Sequence, residues 1–331
     1  MTDSLEIPAH DLFDRAESNA RDNQQSKVYP NVINIMGPTA SGKTSLAIEL
    51  AKKINGEVIS VDSALVYRGM DIGTAKPSLA EQDGVRHWLI SIAEPEQAYS
   101  VAEFCRDAVI CIDDILQRGK VPILVGGTMM YFNGLVNGLS SMPNADKNVR
   151  VQIQVFIDQH GLEAAHRRLA DIDFESGKRI HQNDPQRIMR ALEVHALTGK
   201  TMTELQAIKP EPLPYNFIQF SLMLGDRAKL HERIAQRFDI MLGNNFEQEV
   251  IKLRMNSNLH IDLPAIRSVG YRQMWQYLDG DYDAKEMREK SIIATRQLAK
   301  RQITWLRSWE QAILLETGNT KNIDLILQHF Q

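Results

Sequence analysis

Apolar positions recur in two rhythms along this chain of 331 residues. Short continuous runs come first: Val32 to Met36, Val58 to Val61, Leu89 to Ile92, Val121 to Val125 and Phe217 to Leu224. Runs of this length read as strands buried on both faces of a parallel sheet. Between them the spacing lengthens to a helical period. Leu46, Ala47, Leu50, Ala51 and Ile54 precede a stop at Gly56. Val109, Ile112 and Leu116 follow a capping box of Ser100 and Glu103 and end at Gly119. Strand and helix alternate, so the pattern predicts an open α/β sheet.

From Leu139 the texture changes. The stretch SSMPNADKN is a break, and residues 149–205 carry helical spacing without a strand run. One of these helices has Asp184 as its cap, Pro185 at its first position and Gly199 at its end. The segment KPEPLPY then leads back to the strand at Phe217, followed by helices over Lys229 to Leu242 and around Arg296 to Arg307. The predicted fold class is α/β, a parallel-sheet core with a mainly helical insertion. The core is expected over 31–140 and 211–331, the insertion over 141–210, and a polar, mobile tail over 1–30.

The first strand runs directly into Gly37-Pro38-Thr39-Ala40-Ser41-Gly42-Lys43-Thr44, the phosphate-loop spacing GxxxxGK[ST], with a helix after it. Glycines let backbone N–H groups close around phosphate oxygens, and the helix N-terminus favours negative charge. Lys43 supplies a point charge and Thr44 a hydroxyl for Mg²⁺. Asp62 ends the second strand, where α/β sheets place their ligand crevice; a simple strand-end cap is the plainer reading. Gly126-Gly127-Thr128 opens a second wall at the end of the next strand, with Thr128 a ligand contact or a helix cap. Arg227, after Gly225-Asp226, is placed to reach phosphates from a third strand end. Arg187 and Arg190 share a helix face, which is more often a solvated face than a site.

Composition narrows the partners. With 38 basic and 42 acidic residues the net charge is −4, so a polyanion must meet a local basic face. The last long helix offers one, where Arg296, Lys300 and Arg307 lie together while Leu298, Trp305 and Trp309 lie on another side; a solvated helix packed by its tryptophans fits the pattern equally. The only cysteines, Cys105 and Cys111, fit neither a disulfide framework nor a zinc site, which suits a reducing, cytoplasmic setting. No apolar run approaches a membrane span, so no membrane is expected. These residues leave a small-molecule kinase and a transferase with diphosphate as leaving group both open, with a non-catalytic RNA-binding protein as a third reading.

The motifs GPTASGKT, VDSALVYRGMDIGTAKP, LVGGTMMYF, DPQRIMRALEV, RSVGYRQMW and ATRQLAKRQITWLR together resemble the bacterial tRNA dimethylallyltransferases, from about Val32 to Trp309. The resemblance implies a P-loop core whose helical insertion grips the tRNA anticodon stem-loop. It implies transfer of a dimethylallyl group from dimethylallyl diphosphate to N6 of the adenosine just 3′ of the anticodon, in tRNAs reading codons that begin with U. Gly37 to Thr44 would then hold the diphosphate leaving group, with Mg²⁺ at Thr44 and a monomer as the working unit. Asp62 matches the general base, Thr128 a catalytic and tRNA contact, and Arg227 the diphosphate-stabilising arginine. Asp62, Ser63, Ala64 and Leu65 match the contact to the target adenine, and Arg150 a further tRNA contact. The remaining tRNA-facing matches are Gln186, Arg187, Ile188, Met189 and Arg190; Arg267, Ser268, Val269, Gly270, Tyr271 and Arg272; and Lys300, Arg301, Gln302, Ile303, Thr304, Trp305, Leu306 and Arg307.

Overall fold

A computed structural model describes residues 28–208 and 210–330. The predicted tail lies outside this range as far as residue 27. The chain runs through β1 (Asn31–Met36), α1 (Lys43–Ile54), β2 (Gly56–Val61), α2 (Leu79–Gln82) and β3 (His87–Trp88). Next come α3 (Val101–Gln117), β4 (Val121–Gly126) and α4 (Met129–Asn137). Five helices follow without a strand: α5 (Lys147–His160), α6 (Leu162–Ile172), α7 (Phe174–Arg179), α8 (Pro185–Thr198) and α9 (Met202–Ala207). The chain then continues through β5 (Asn216–Met223), α10 (Arg227–Gly243), α11 (Phe246–Arg254), α12 (Tyr271–Leu278), α13 (Ala284–Arg307), β6 (Ile313–Glu316) and α14 (Asn322–Phe330).

Among the described residues six strands form one sheet in the order β3-β2-β4-β1-β5-β6, every neighbouring pair parallel. Gly126 is level with both Met36 and Val61, so β1, β2 and β4 end on one edge. One sheet face presents Ile33, Ile35, Val58, Ile123 and Val125 to Ala47, Leu50 and Ala51 of α1 and Ile323 and Ile326 of α14. The other presents Val32, Met36, Ile59, Val61 and Leu124 to α3 and α4. Each fully buried side chain of this size contributes roughly 1.5–3 kcal/mol. Burial on both faces explains the continuous apolar runs.

The strand expected over Leu89 to Ile92 is not one. Leu89 and Ser91 sit at φ 60° and 52°, and Ser91 N and Ile92 N donate to Leu65 O and Val66 O. The chain turns there to close on the loop after β2, leaving β3 only His87 and Trp88.

Helices α5 to α9 have a core of their own, built from Ala165, Leu169, Ile188, Ala191, Val194, Met202 and Leu205. The expected caps are present: Asp184 accepts from Arg187 N, Pro185 opens α8, and Gly199 closes it at φ 69°. Buried Glu193 ties α8 to α5 through Arg150 (2.8 Å) and takes Arg190 (2.6 Å) within α8. Burial opposes that negative charge, yet the hydrogen bonds from both arginines prevail and hold the carboxyl below the usual range. Cys105 and Cys111 are free thiols, and among the described residues no helix is long and apolar enough to cross a membrane.

Candidate active site

The loop from Gly37 to Thr44 departs from regular backbone at two residues. Gly42 is at φ 86°, where L side chains are disfavoured, and Ala40 is at φ 61°. A left-handed alanine costs about 1–2 kcal/mol, so the surroundings must hold it. They do so from three sides. Gly37 N donates to Gly126 O at 3.2 Å, and Ser41 O accepts from Thr317 Oγ1 at 3.1 Å. Buried Gln302 of α13 accepts from Thr39 N at 2.9 Å and donates to Gly127 O at 2.9 Å, joining the phosphate loop to the turn after β4. A Cβ on Gly127 would lie 2.3 Å from Gln302 Nε2, so only glycine admits this bridge.

Beneath the loop lies a chamber of about 170 Å³, lined by Thr39, Lys43, Thr44, Asp62, Ala64, Leu65, Gly126, Gln302 and parts of α10 and α13. That exceeds several times the roughly 30 Å³ a water occupies in the liquid, so it is a site and not a packing void. Asp62 stands at the end of β2 and accepts from Ala64 N (2.8 Å) and Leu65 N (3.3 Å) through Oδ1 alone. Thr128 makes no capping bond to α4; its Oγ1 accepts from Ser63 N at 3.0 Å. The hydroxyl thus fixes the segment that follows Asp62.

Two cations face the chamber. Lys43 Nζ donates to Pro38 O at 3.1 Å, and Arg237 of α10 donates to Thr74 O at 3.2 Å. Burial lowers Lys43 to about 8, with Asp62 pulling it back up and Arg237 adding to the fall. Burial also lowers Arg237, against the pull of Asp62. Both cations rest on neutral carbonyls, a state that an anion in the chamber would relieve. Arg227 is the correction here. It opens α10, is exposed and lies outside the chamber lining, whereas Arg237, three turns further on, lies within it. The sequence signal for Arg237 is its place on the apolar stripe of α10, between Ile234 and Met241 and beside Phe238.

The chamber wall from Gly73 to Pro77 is held from outside. Glu249 of α11 accepts from the backbone N–H groups of Asp71 (2.9 Å), Ile72 (2.7 Å) and Gly73 (3.1 Å), and from the hydroxyl of Tyr271. Lys76 fastens the far side through Tyr67 O, Asp71 and Ser91 Oγ. No motif marked Glu249, because its backbone partners lie 176 to 178 residues away.

Comparison with known proteins decides the family. Residues 65–309 match the sequence profile of the IPP transferases. The chain belongs to the IPP transferase family. The tRNA isopentenylpyrophosphate transferase of Bacillus halodurans is 36% identical, with 91% of this chain and 95% of that one aligned at a TM-score of 0.67. The tRNA isopentenylpyrophosphate transferase of Staphylococcus epidermidis is 35% identical over 91% and 97%, at 0.64. A eukaryotic dimethylallyltransferase acting on tRNA is 27% identical over 91% and 77%, at 0.76. Membership makes this chain a prenyl-transferring enzyme with the P-loop-like parallel core that its sequence predicts.

Within this family member the resemblance-assigned segments divide by exposure. Ser63, Arg267 and Arg272 are exposed, while Ser268, Val269 and Gly270 line the chamber. Gln186 and Arg187 are exposed; Met189 and Arg190 are half-buried, with Arg190 also bonded to Pro143 O. On α13, Lys300, Arg301, Thr304, Trp305 and Arg307 are exposed and Ile303 is half-buried. Trp305, expected on a packing side, is 41% exposed; Ala299, Gln302 and Leu306 pack the helix instead. Three assigned contacts are corrected. Ile188 and Tyr271 have no exposed surface and Leu306 has 5%, so these side chains support the site from within, while Gln302, 8% exposed, lines the chamber itself.

Among the described residues no three His, Cys, Asp or Glu side chains converge as a metal cage. A magnesium ion that keeps its waters and leans on substrate phosphates needs no such cage. The Thr44 hydroxyl at the chamber wall fits that manner of binding.

Proposed function

We propose that this enzyme transfers the dimethylallyl group of dimethylallyl diphosphate to N6 of the adenosine immediately 3′ of the tRNA anticodon, releasing diphosphate. The observation that carries the reading is the pairing of Asp62 with Lys43 and Arg237 across one chamber under the phosphate loop. The adenine N6 lone pair is delocalised into the ring and attacks poorly. Reaction therefore depends on ionising the allylic C–O bond. Lys43, Arg237 and the N–H groups of the loop stand where charge grows on the departing diphosphate, and fixed donors at such a place contribute several kcal/mol. N6 forms its bond to the allylic carbon, and Asp62 takes the N6 proton.

Magnesium, held by Thr44 and the diphosphate, supplies further charge neutralisation when bound. The target base must leave its stack to enter the chamber. Exposed Trp305 among Lys300, Arg301 and Arg307 offers the mixture of cations and aromatic surface that nucleic acids favour. The working unit is a monomer acting in the cytoplasm. The test is mass analysis of nucleosides from unmodified tRNA incubated with enzyme, Mg²⁺ and dimethylallyl diphosphate. N6-(dimethylallyl)adenosine next to the anticodon is expected. Consumption of ATP on a small acceptor, with no modified nucleoside, would replace this reading with a kinase.

A further inference from the structure

The chamber has a second limb, on the α1 face of the sheet, which the reaction outlined above leaves without a task. Val58 and Ser60 of β2 point to this face; His87 is level with Val58, and Val125 of β4 is level with Ser60. Ser60, His87, Val125 and Thr44 line the same cavity. Two polar atoms in this limb have no partner: the Oγ of Ser60, a residue 4% exposed, and the Nε2 of His87. A buried polar atom without a partner costs about 1–3 kcal/mol, so two of them on one wall call for a ligand.

Their chemistry restricts what that ligand is. His87 Nδ1 lies 2.9 Å from Val85 O, and a carbonyl can only accept, so Nδ1 carries the hydrogen and Nε2 presents a lone pair. Burial lowers the basicity of this ring. An acceptor of this kind repels a phosphate oxygen. It suits an O–H donor, and a serine hydroxyl beside it can also accept. The strongest small donors that enter a diphosphate site are the waters bound to its magnesium. P-loop NTPases organise that ion with a loop hydroxyl and an acid from the neighbouring strand. Here the neighbouring strand β4 ends in Val125 and Gly126, with no acid.

We propose that Ser60 Oγ and His87 Nε2 accept hydrogen bonds from the water ligands of the magnesium ion and so take over the work of the missing strand-end acid. This inference rests on the metal-assisted reading given above and assigns the metal's outer sphere to two residues. Neither touches the ion, so both are positioning residues.

Manganese is the probe, with inorganic diphosphate as its partner. Free Mn²⁺ is followed by electron paramagnetic resonance as it is titrated into enzyme plus diphosphate. Wild type is expected to bind Mn²⁺ in a diphosphate-dependent way. Ser60→Ala and His87→Leu should each raise the Mn²⁺ Kd by about tenfold, the usual lower range for losing an outer-sphere partner. Diphosphate affinity without metal should stay unchanged, and His87→Gln, which restores an acceptor, should recover part of the loss. Ser60→Ala removes only an atom without a partner, so it keeps the test open should His87→Leu fail to fold. An unchanged Mn²⁺ Kd in folded variants overturns the inference while leaving the metal reading intact. If wild type binds no Mn²⁺ with diphosphate, the metal reading falls and this inference with it.

Discussion

Strand β2 carries a carboxylate near each end, and the protein treats the two in opposite ways. Glu57 is 2% exposed and accepts from Arg118 Nη1 (2.6 Å) and Nη2 (2.7 Å), Lys120 (2.7 Å) and the Trp88 indole (2.8 Å). The hydrogen bonds from Arg118 outweigh burial, and with help from Lys120 and Trp88 they lower its pKa to about 2. Asp62 accepts two backbone N–H groups through one oxygen and faces a chamber holding two cations that rest on carbonyls. A closed cluster of this sort stabilises a fold. An open one, with attractive charges still unspent, binds and reacts with something. Charge density alone would rank Glu57 first; the satisfaction of the charges ranks Asp62 first.

Breaking either end separates the two roles. Asp62→Ala should lower prenyl transfer by about 1000-fold, as loss of a general base does, with tRNA affinity kept within a few-fold in a gel-shift assay. Next in size, Arg237→Ala should lower the rate of transfer by about 100-fold, the cost of one donor to a developing negative charge. Arg227→Ala should change it less than threefold; equal losses in steady-state assays would undo the choice between the two arginines. Glu249→Gln should cost about tenfold in kcat, because a wall shifted by a fraction of an ångström misplaces Arg237 and the reacting groups. Tyr271→Phe, which leaves the three backbone bonds to Glu249, should cost less.

Two smaller effects follow from proton equilibria. Lys43 titrates near 8 in the unliganded enzyme. Its charge is present below that pH and lost above it, so diphosphate affinity should weaken by up to about tenfold per pH unit above 8, seen by calorimetry. At the other end of β2, Glu57→Gln should cost about 2 kcal/mol of stability and leave transfer per folded molecule unchanged. The folded pKa of Glu57, about 2, lies below its usual value of 4.5, so its stabilisation is full above 4.5 and lost as pH falls through 2. Acid unfolding of Glu57→Gln should therefore be less steep over that range.

Much of this was legible in the chain. The phosphate loop, the strand ends at Asp62 and Gly126, and the caps at Ser100 and Asp184 are local features, set by residues within a few positions of one another. What escaped is held by distant partners. Arg237 becomes a chamber residue through Thr74, 163 positions away, and Arg227 looked better because it follows a strand end. The run from Leu89 to Ile92 has strand composition, but its backbone bonds to the loop at Leu65 and Val66 bend it. Gln302 sits in a basic helix that reads as one surface, yet its side chain turns inward to the phosphate loop. Ser60 and His87 gave no signal, since an unpartnered atom is visible only once its neighbours are placed.

The most direct measurement sets the two ends of β2 side by side. Prenyl transfer to unmodified tRNA would be timed for Asp62→Ala, Glu57→Gln and wild type, each normalised to its folded fraction from thermal unfolding. The expected result is near-complete loss in fully folded Asp62→Ala and wild-type turnover in destabilised Glu57→Gln. Turnover by folded Asp62→Ala within tenfold of wild type would contradict the assignment of the chemistry to the open end.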